Sequence, residues 1–172
     1  MPHTLKHSLA ALASLALIPT VAIALEVRAP HDGTVTDTTY YSSGAFHGAV
    51  DLTGRCNLDP VDAMFAGSMY WNFTIRTTSA VCTGSGSGNQ NAVSHTFADG
   101  NVFRMWHFNR TANSTDRTCD RCSLGNVGGT GAVTQALTHF QVDKNGTRNT
   151  AWYSGYTVRG EFITRGEVIG VL

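Results

Sequence analysis

GAFHGAVDLTG, residues 44–54, places His47 four positions before Asp51 in a stretch rich in glycine. In an extended strand residues 47, 49 and 51 lie on one face. A histidine and a carboxylate on one bent strand, with Gly48 easing the bend, would converge on a divalent ion. Imidazole and carboxylate are both ordinary zinc ligands, and a zinc site that does chemistry needs three of them with one position left open. The competing reading is two polar residues in an ordinary turn. What the rest of the chain supplies decides between them.

The chain has 172 residues, which corresponds to one domain. Residues 8–24, SLAALASLALIPTVAIA, follow a weakly basic start at Lys6 and His7 and end on Ala22-Ile23-Ala24. This reads as a secretory signal peptide over 1–24, with a single domain over 25–172. The run is interrupted by Pro19 and is too short for a stable membrane span, so no membrane association is expected after cleavage. A secreted or periplasmic location follows. The 12 basic and 12 acidic residues balance, and no basic patch of the kind nucleic acid demands is present, so that partner is set aside.

Cysteines stand at 56, 82, 119 and 122. In an oxidising compartment two disulfides are the default, and three pairings are open. Cys56 with Cys82 and Cys119 with Cys122 is favoured, because a close pair tends to close locally. A redox or zinc-ribbon reading of TCDRC lacks a second CxxC and a surrounding βαβ pattern.

Helical periodicity is hard to find. Short runs such as SMYWNFTIRTT (68–78), AVSHTF (92–97), NVFRMWHF (101–108) and THFQVD (138–143) are rich in Val, Thr and aromatics. Between them lie SSG, TGSGSG, ADG, NVGGTG and KNG. This is the strand-and-turn pattern of an all-β domain, with hairpin turns expected at ADG and KNG. RGEFI (159–163) and RGEVI (165–169) read as consecutive strand material near the C-terminus. Asn-x-Ser/Thr sequons occur at Asn72, Asn109, Asn113 and Asn145. Of the histidines past residue 24, His31 has no obvious partner in the sequence. His47, His95, His107 and His139 each sit beside an expected strand or turn, and His139 is the best strand histidine to complete a site with His47 and Asp51.

FHGAVDLTG, then NVFRMWHFNRT, then GGTGAVTQALTHFQVDKNG resemble, in order, the three motifs of the lysostaphin-type, beta-lytic (LytM-domain) zinc endopeptidases. These are a HxxxD motif, an aromatic-x-His-hydrophobic motif and a final segment ending in HxH. The resemblance runs from about Arg28 to Asn145. It implies a compact antiparallel β-domain with a central groove that holds Zn2+. His47, Asp51 and His139 fall on the ligand positions, and His107 falls on a catalytic histidine. The first position of HxH is Leu137, so ALTH stands where PHLH is expected. Leucine neither accepts a proton nor stabilises an oxyanion, and losing such a group typically costs ~10² to 10⁴ in rate.

Glu26, Asp32, His95 and Asp99 are candidate substitutes for the missing group only in that nothing in the sequence excludes them. Tyr40, Trp71 and Trp152 are candidate groove walls, although core packing is the commoner fate of such residues. The resemblance implies an extended peptide or peptidoglycan as substrate, glycine-rich or from cell-wall cross-links, and a monomer is expected. The alternative is an inactive zinc-binding domain that recognises cell-wall peptides or a protein.

Overall fold

The computed structural model describes residues 24–172. The expected signal segment lies outside the described residues, save for Ala24. Among the described residues regular structure is nearly all strand, with a single turn of 3₁₀-helix at Ala151–Tyr153. The main sheet is built from β2 (Gly33–Asp37), β3 (Val50–Thr53), β5 (Met69–Thr74), β6 (Ala92–Thr96), β7 (Asn101–Trp106), β8 (Arg117–Cys119), β10 (Leu137–Lys144), β11 (Thr147–Asn149) and β12 (Phe162–Ile163). Their spatial order is β12-β2-β3-β10-β7-β6-β5-β8, with β11 also on β10, and the pairings are antiparallel. Two smaller ladders pair β1 (Glu26–Arg28) with β13 (Val168–Val171) and β4 (Pro60–Asp62) with β9 (Ser123–Asn126).

The eight-residue β10 lies at the centre of the sheet. Its first half pairs with β3 on one side, its second half with β11 on that side, and β7 runs along the other. Alternation splits these strands into two faces. Val50 and Leu52 of β3, Phe140 and Val142 of β10, and Phe103 and Met105 of β7 are fully buried in one core. Asp51, Thr53, His139, Gln141, Arg104 and Trp106 carry the opposite parity and form the other face. At roughly 1.5–3 kcal/mol for each fully buried large apolar side chain, the core face is what holds these strands in register.

The turns follow local chemistry. β10 and β11 are joined through Asn145 and Gly146, both at positive φ (51° and 78°), the conformation a two-residue hairpin requires. β6 and β7 are joined through ADG, with Gly100 at φ 85°. The RGEFI and RGEVI segments part company: β12 extends the main sheet beside β2, whereas β13 pairs with β1 in a separate ladder. Both expected disulfides are present, Cys56–Cys82 and Cys119–Cys122. Near the first, Asn109 donates to Asn57 Oδ1 at 2.6 Å and accepts from the Val81 N–H at 3.0 Å. Buried and so engaged, Asn109 cannot carry a glycan, whereas Asn72, Asn113 and Asn145 are exposed.

His31 has a partner after all. It is buried, and its Nε2 lies 2.9 Å from Thr138 Oγ1 on the central strand. The sequence could not show this, because 107 residues separate the two. Desolvation lowers the His31 imidazole below its ordinary value, against the raising effect of the Asp32 carbonyl.

Two stability predictions follow from this packing. Phe140→Ala removes a side chain from the middle of the core and should cost about 3–5 kcal/mol by urea unfolding. The unfolded chain takes up a proton at His31 near pH 6.5, and the folded protein only at lower pH. The stability tied to neutral His31 is therefore complete above that pH and declines on acidification toward the folded value. In metal-free His31→Gln, the loss of stability between about pH 7.5 and 5.5 should be shallower than in the wild type.

Candidate metal centre

β10 and β3 pair so that His139 stands directly opposite Asp51, and on the other side His139 stands opposite Trp106. Three strands thus supply one row across the polar face. The Trp106 indole stacks on the His139 ring with centroids 4.9 Å apart and planes within 11°. His47 is not on the strand with Asp51, contrary to the single-strand reading. β3 begins only at Val50, and His47 closes the preceding loop. The Thr39 carbonyl accepts from the N–H groups of both His47 and Gly48, and Gly48 turns the chain at φ 67°. A Cβ there would sit 2.5 Å from Arg148 and 2.6 Å from the Phe46 ring, so any other residue would have to displace both side chains as well as bear the φ.

His47, Asp51 and His139 are all buried, and their ligand atoms form a small triangle. Its edges are 2.8 Å (His139 Nδ1 to Asp51 Oδ1), 3.1 Å (His47 Nε2 to His139 Nδ1) and 3.4 Å (His47 Nε2 to Asp51 Oδ1). Bonds of about 2.0–2.1 Å in a tetrahedron set ligand atoms about 3.3 Å apart, so the triangle has the size zinc uses.

The backs of the rings determine where the protons are. His47 Nδ1 faces the Thr38 carbonyl at 2.8 Å, and a carbonyl only accepts, so the proton is on Nδ1 and Nε2 is bare. His139 has an acceptor at each nitrogen, Gln141 Oε1 3.0 Å from Nε2 and Asp51 Oδ1 2.8 Å from Nδ1, and a proton on Nε2 leaves Nδ1 bare. In that form three acceptors converge with no proton between them. Such an arrangement is stable only around a positive charge, either a metal ion or, without one, an added proton on an imidazole. Burial by itself would raise the Asp51 carboxyl; a protonated imidazole at His139 or His47, bonded to it, outweighs burial and holds Asp51 well below the usual carboxylate range. The residues present fit a zinc ion.

His107 lies beside this cluster, its ring centroid 5.9 Å from that of His139. By strand alternation it would share a face with the core residues Phe103 and Met105. Instead β7 stops at Trp106, and His107 adopts φ 74°, which breaks the alternation. Its N–H donates to Asn91 O, its carbonyl accepts from Thr130, and its Nδ1 donates to the Thr130 carbonyl at 2.6 Å. Nε2 is thereby the free acceptor of the ring. Desolvation lowers the imidazole below its ordinary value despite that backbone bond, so it stays neutral at neutral pH.

Leu137 is on the parity of His139, opposite Thr53 and nearly buried. None of the suggested substitutes for it reaches the cluster. His95 turns to the core face, its Nδ1 on the Tyr70 carbonyl and its ring against Phe97. Asp99 caps the β6–β7 turn through Asn101, Asp32 accepts from the Arg165 N–H, and Glu26 pairs with Arg28. Of the aromatic wall candidates, Trp71 and Trp152 are core residues, and Tyr40 is exposed in edge contact with Phe46. A wall residue the sequence reading passed over is Tyr41, whose half-exposed ring packs on His47 at 4.3 Å. It also passed over Gln141, although the period-two spacing of His139, Gln141 and Asp143 puts them on one face.

No protein-family model matches the chain, and no curated protein matches it. Solved structures do. A point mutant of the catalytic domain of the prophage-encoded M23 protein EnpA from Enterococcus faecalis is similar at 21% identity and a TM-score of 0.50, over 71% of this chain and 93% of that one. A zinc-containing peptidase from Vibrio cholerae is similar at 14% identity and a TM-score of 0.50, over 73% of this chain and 38% of that one. A chain from Pseudomonas aeruginosa assigned to peptidase M23 is similar at 20% identity and a TM-score of 0.49; this chain spans about half of its length (49%). The chain has the fold of the M23, LytM-type peptidases.

The triangle predicts one zinc ion per chain. At free zinc a hundred times its Kd, thermal unfolding should show a gain of about 2.7 kcal/mol. Asp51→Asn and His139→Ala should each lose that gain. Acidification should release the ion as protons compete for imidazole, read by a chromophoric chelator.

Proposed function

We propose that this chain is an exported zinc-dependent peptidase that cuts extended, glycine-containing peptides of the kind found in peptidoglycan cross-links. The observation that carries the reading is the triangle of bare acceptors at His47, Asp51 and His139 with a neutral histidine, His107, beside it. Zinc bound there would polarise the scissile carbonyl and lower the pKa of its water. The chain's own part is proton handling. His107, fixed as the Nδ1–H form by Thr130, accepts a proton from the attacking water at Nε2 and returns it to the leaving amine. With Leu137 beside the cluster no second imidazole stabilises the oxyanion, so turnover is expected to be slow.

Substrate class is supported by shape. Beyond Trp106 the polar face forms a shallow trough of about 160 Å³ lined by Asn72, Thr74, Ala92, Ser94 and Arg104. It has room for backbone and small side chains, and amide and hydroxyl groups are on hand to bond a peptide main chain. Export is supported by the apolar N-terminal run and by two disulfides, which suit an oxidising compartment. No described helix is long and apolar enough to cross a membrane.

A second reading has its own observation. Leu137 occupies the position from which the second histidine would act, and this favours a zinc-stabilised domain that binds cell-wall peptides without cutting them. Cleavage of pentaglycine and of peptidoglycan by the zinc-loaded chain, with and without EDTA, separates the two. Chelator-sensitive turnover is expected, rising at least ~10²-fold in Leu137→His. No turnover by the natural chain, with activity gained in Leu137→His, would establish the binding domain instead.

A further inference from the structure

Behind His139, one face of β10 carries a hydrogen-bonded chain that ends in two arginines. His139 Nε2 donates to Gln141 Oε1 at 3.0 Å, and Gln141 Nε2 donates to Asp143 Oδ2 at 2.7 Å. Asp143 is held in turn by Arg104, and by Arg148 Nε at 3.5 Å from Oδ1. Gln141 is buried, so neither end of its amide has water as an alternative partner.

The direction of this chain is set from its far end. Asp143 is paired with two guanidinium groups, and a carboxylate only accepts. The Gln141 amide must therefore turn its NH₂ toward Asp143 and its oxygen toward His139. That oxygen only accepts, so it draws the His139 proton to Nε2 and leaves Nδ1, the atom that faces His47 and Asp51, to an ion. Without an ion the Asp51 carboxylate, 2.8 Å from Nδ1, competes for that proton. If the amide were reversed, its NH₂ would face Nε2, the proton would move to Nδ1, and the ligand triangle would be blocked.

We propose that Gln141 is a positioning residue. Oriented by Asp143 with Arg104 and Arg148, it selects the Nε2–H tautomer of His139 and so keeps Nδ1 free for the metal. The proposal rests on the metal reading of the cluster. Its first test does not need the metal: the His139 tautomer in the zinc-free protein, read from ring ¹⁵N shifts and long-range ¹⁵N–¹H couplings above the pH at which the ring protonates.

Wild type is expected to show Nε2–H in competition with Nδ1–H on the Asp51 carboxylate. Gln141→Leu should shift the ratio toward Nδ1–H and show a zinc affinity about 10–100-fold weaker, with its far-UV circular dichroism unchanged. Gln141→Glu keeps the acceptor for His139 but sets two carboxylates face to face, and should also weaken zinc binding. Adding Asp143→Asn to Gln141→Glu restores a donor opposite that carboxylate and should recover affinity, which a merely space-filling role would not predict. This pair keeps the test open should Gln141→Leu fail to fold. A tautomer ratio in folded Gln141→Leu that matches wild type, with zinc affinity within twofold, would overturn the proposal, as would a double variant no better than Gln141→Glu. If wild type takes up no zinc, the metal reading fails, and the tautomer of Gln141→Leu still decides the orienting role.

Discussion

The structure depends on the antiparallel register that sets His139 of β10 opposite Asp51 of β3. Strand side chains alternate, so a slip of one residue would carry every polar group on β10 to the core and every core group to solvent. Phe140 and Val142 are buried on the reverse of the same strand, Val50 and Leu52 on the reverse of β3. The apolar face therefore enforces the geometry of the polar face. No contact within the cluster has to set the register, and the ligand atoms are brought together by a core that never touches them.

The cluster itself opposes folding unless it holds a cation. Three buried polar side chains have surrendered water, and the bonds that replace it lie at the backs of the rings, on the Thr38 carbonyl and on Gln141. At the front the lone pairs face one another. The apolar core is large enough to carry this cost, and a bound ion would turn it into stabilisation. For the same reason the support behind each ring matters as much as the ligand. Thr38 presents a backbone carbonyl, which cannot reverse. Gln141 presents an amide, which can, and only Asp143 prevents it.

Most of the fold was legible in the sequence, because strand composition and glycine turns are local signals. The ADG and KNG hairpins form where expected, and the order of the three motifs anticipated the M23, LytM-type fold. The legible part of the site was identity: His47, Asp51 and His139 do converge. How they converge was not legible. His47 reaches the cluster from a loop tied back by the Thr39 carbonyl, 8 residues upstream. His107 arrives through a positive φ that strand periodicity does not report. The His31–Thr138 contact and the burial of Trp71 and Trp152 arise from long-range pairing, which periodicity within one segment cannot report. Gln141 had a readable signal, the alternation His139-x-Gln141-x-Asp143, but alternation shows only which side chains share a face. The orientation of its amide depends on Arg104 and Arg148, which come from two other strands.

Leu137 and His107 bear in opposite directions on whether the site cuts. At 137 the ladder to Thr53 uses backbone atoms alone, so leucine in place of histidine costs the fold nothing, and its apolar bulk is nearly buried. Loss of His47, Asp51 or His139 would instead remove one of the three acceptors that converge on a cation. Retention of the three is thus what cation binding favours, whether or not the protein turns over. His107 is a different case. Its left-handed backbone costs on the order of 1 kcal/mol, and glycine or asparagine would bear that turn with less strain. Nor does the triangle need it, since it contributes no atom to the three. With Nδ1 tied to Thr130 and Nε2 free, the neutral imidazole has the form that the proposed proton transfer needs, and the cost of its backbone lends that proposal structural support.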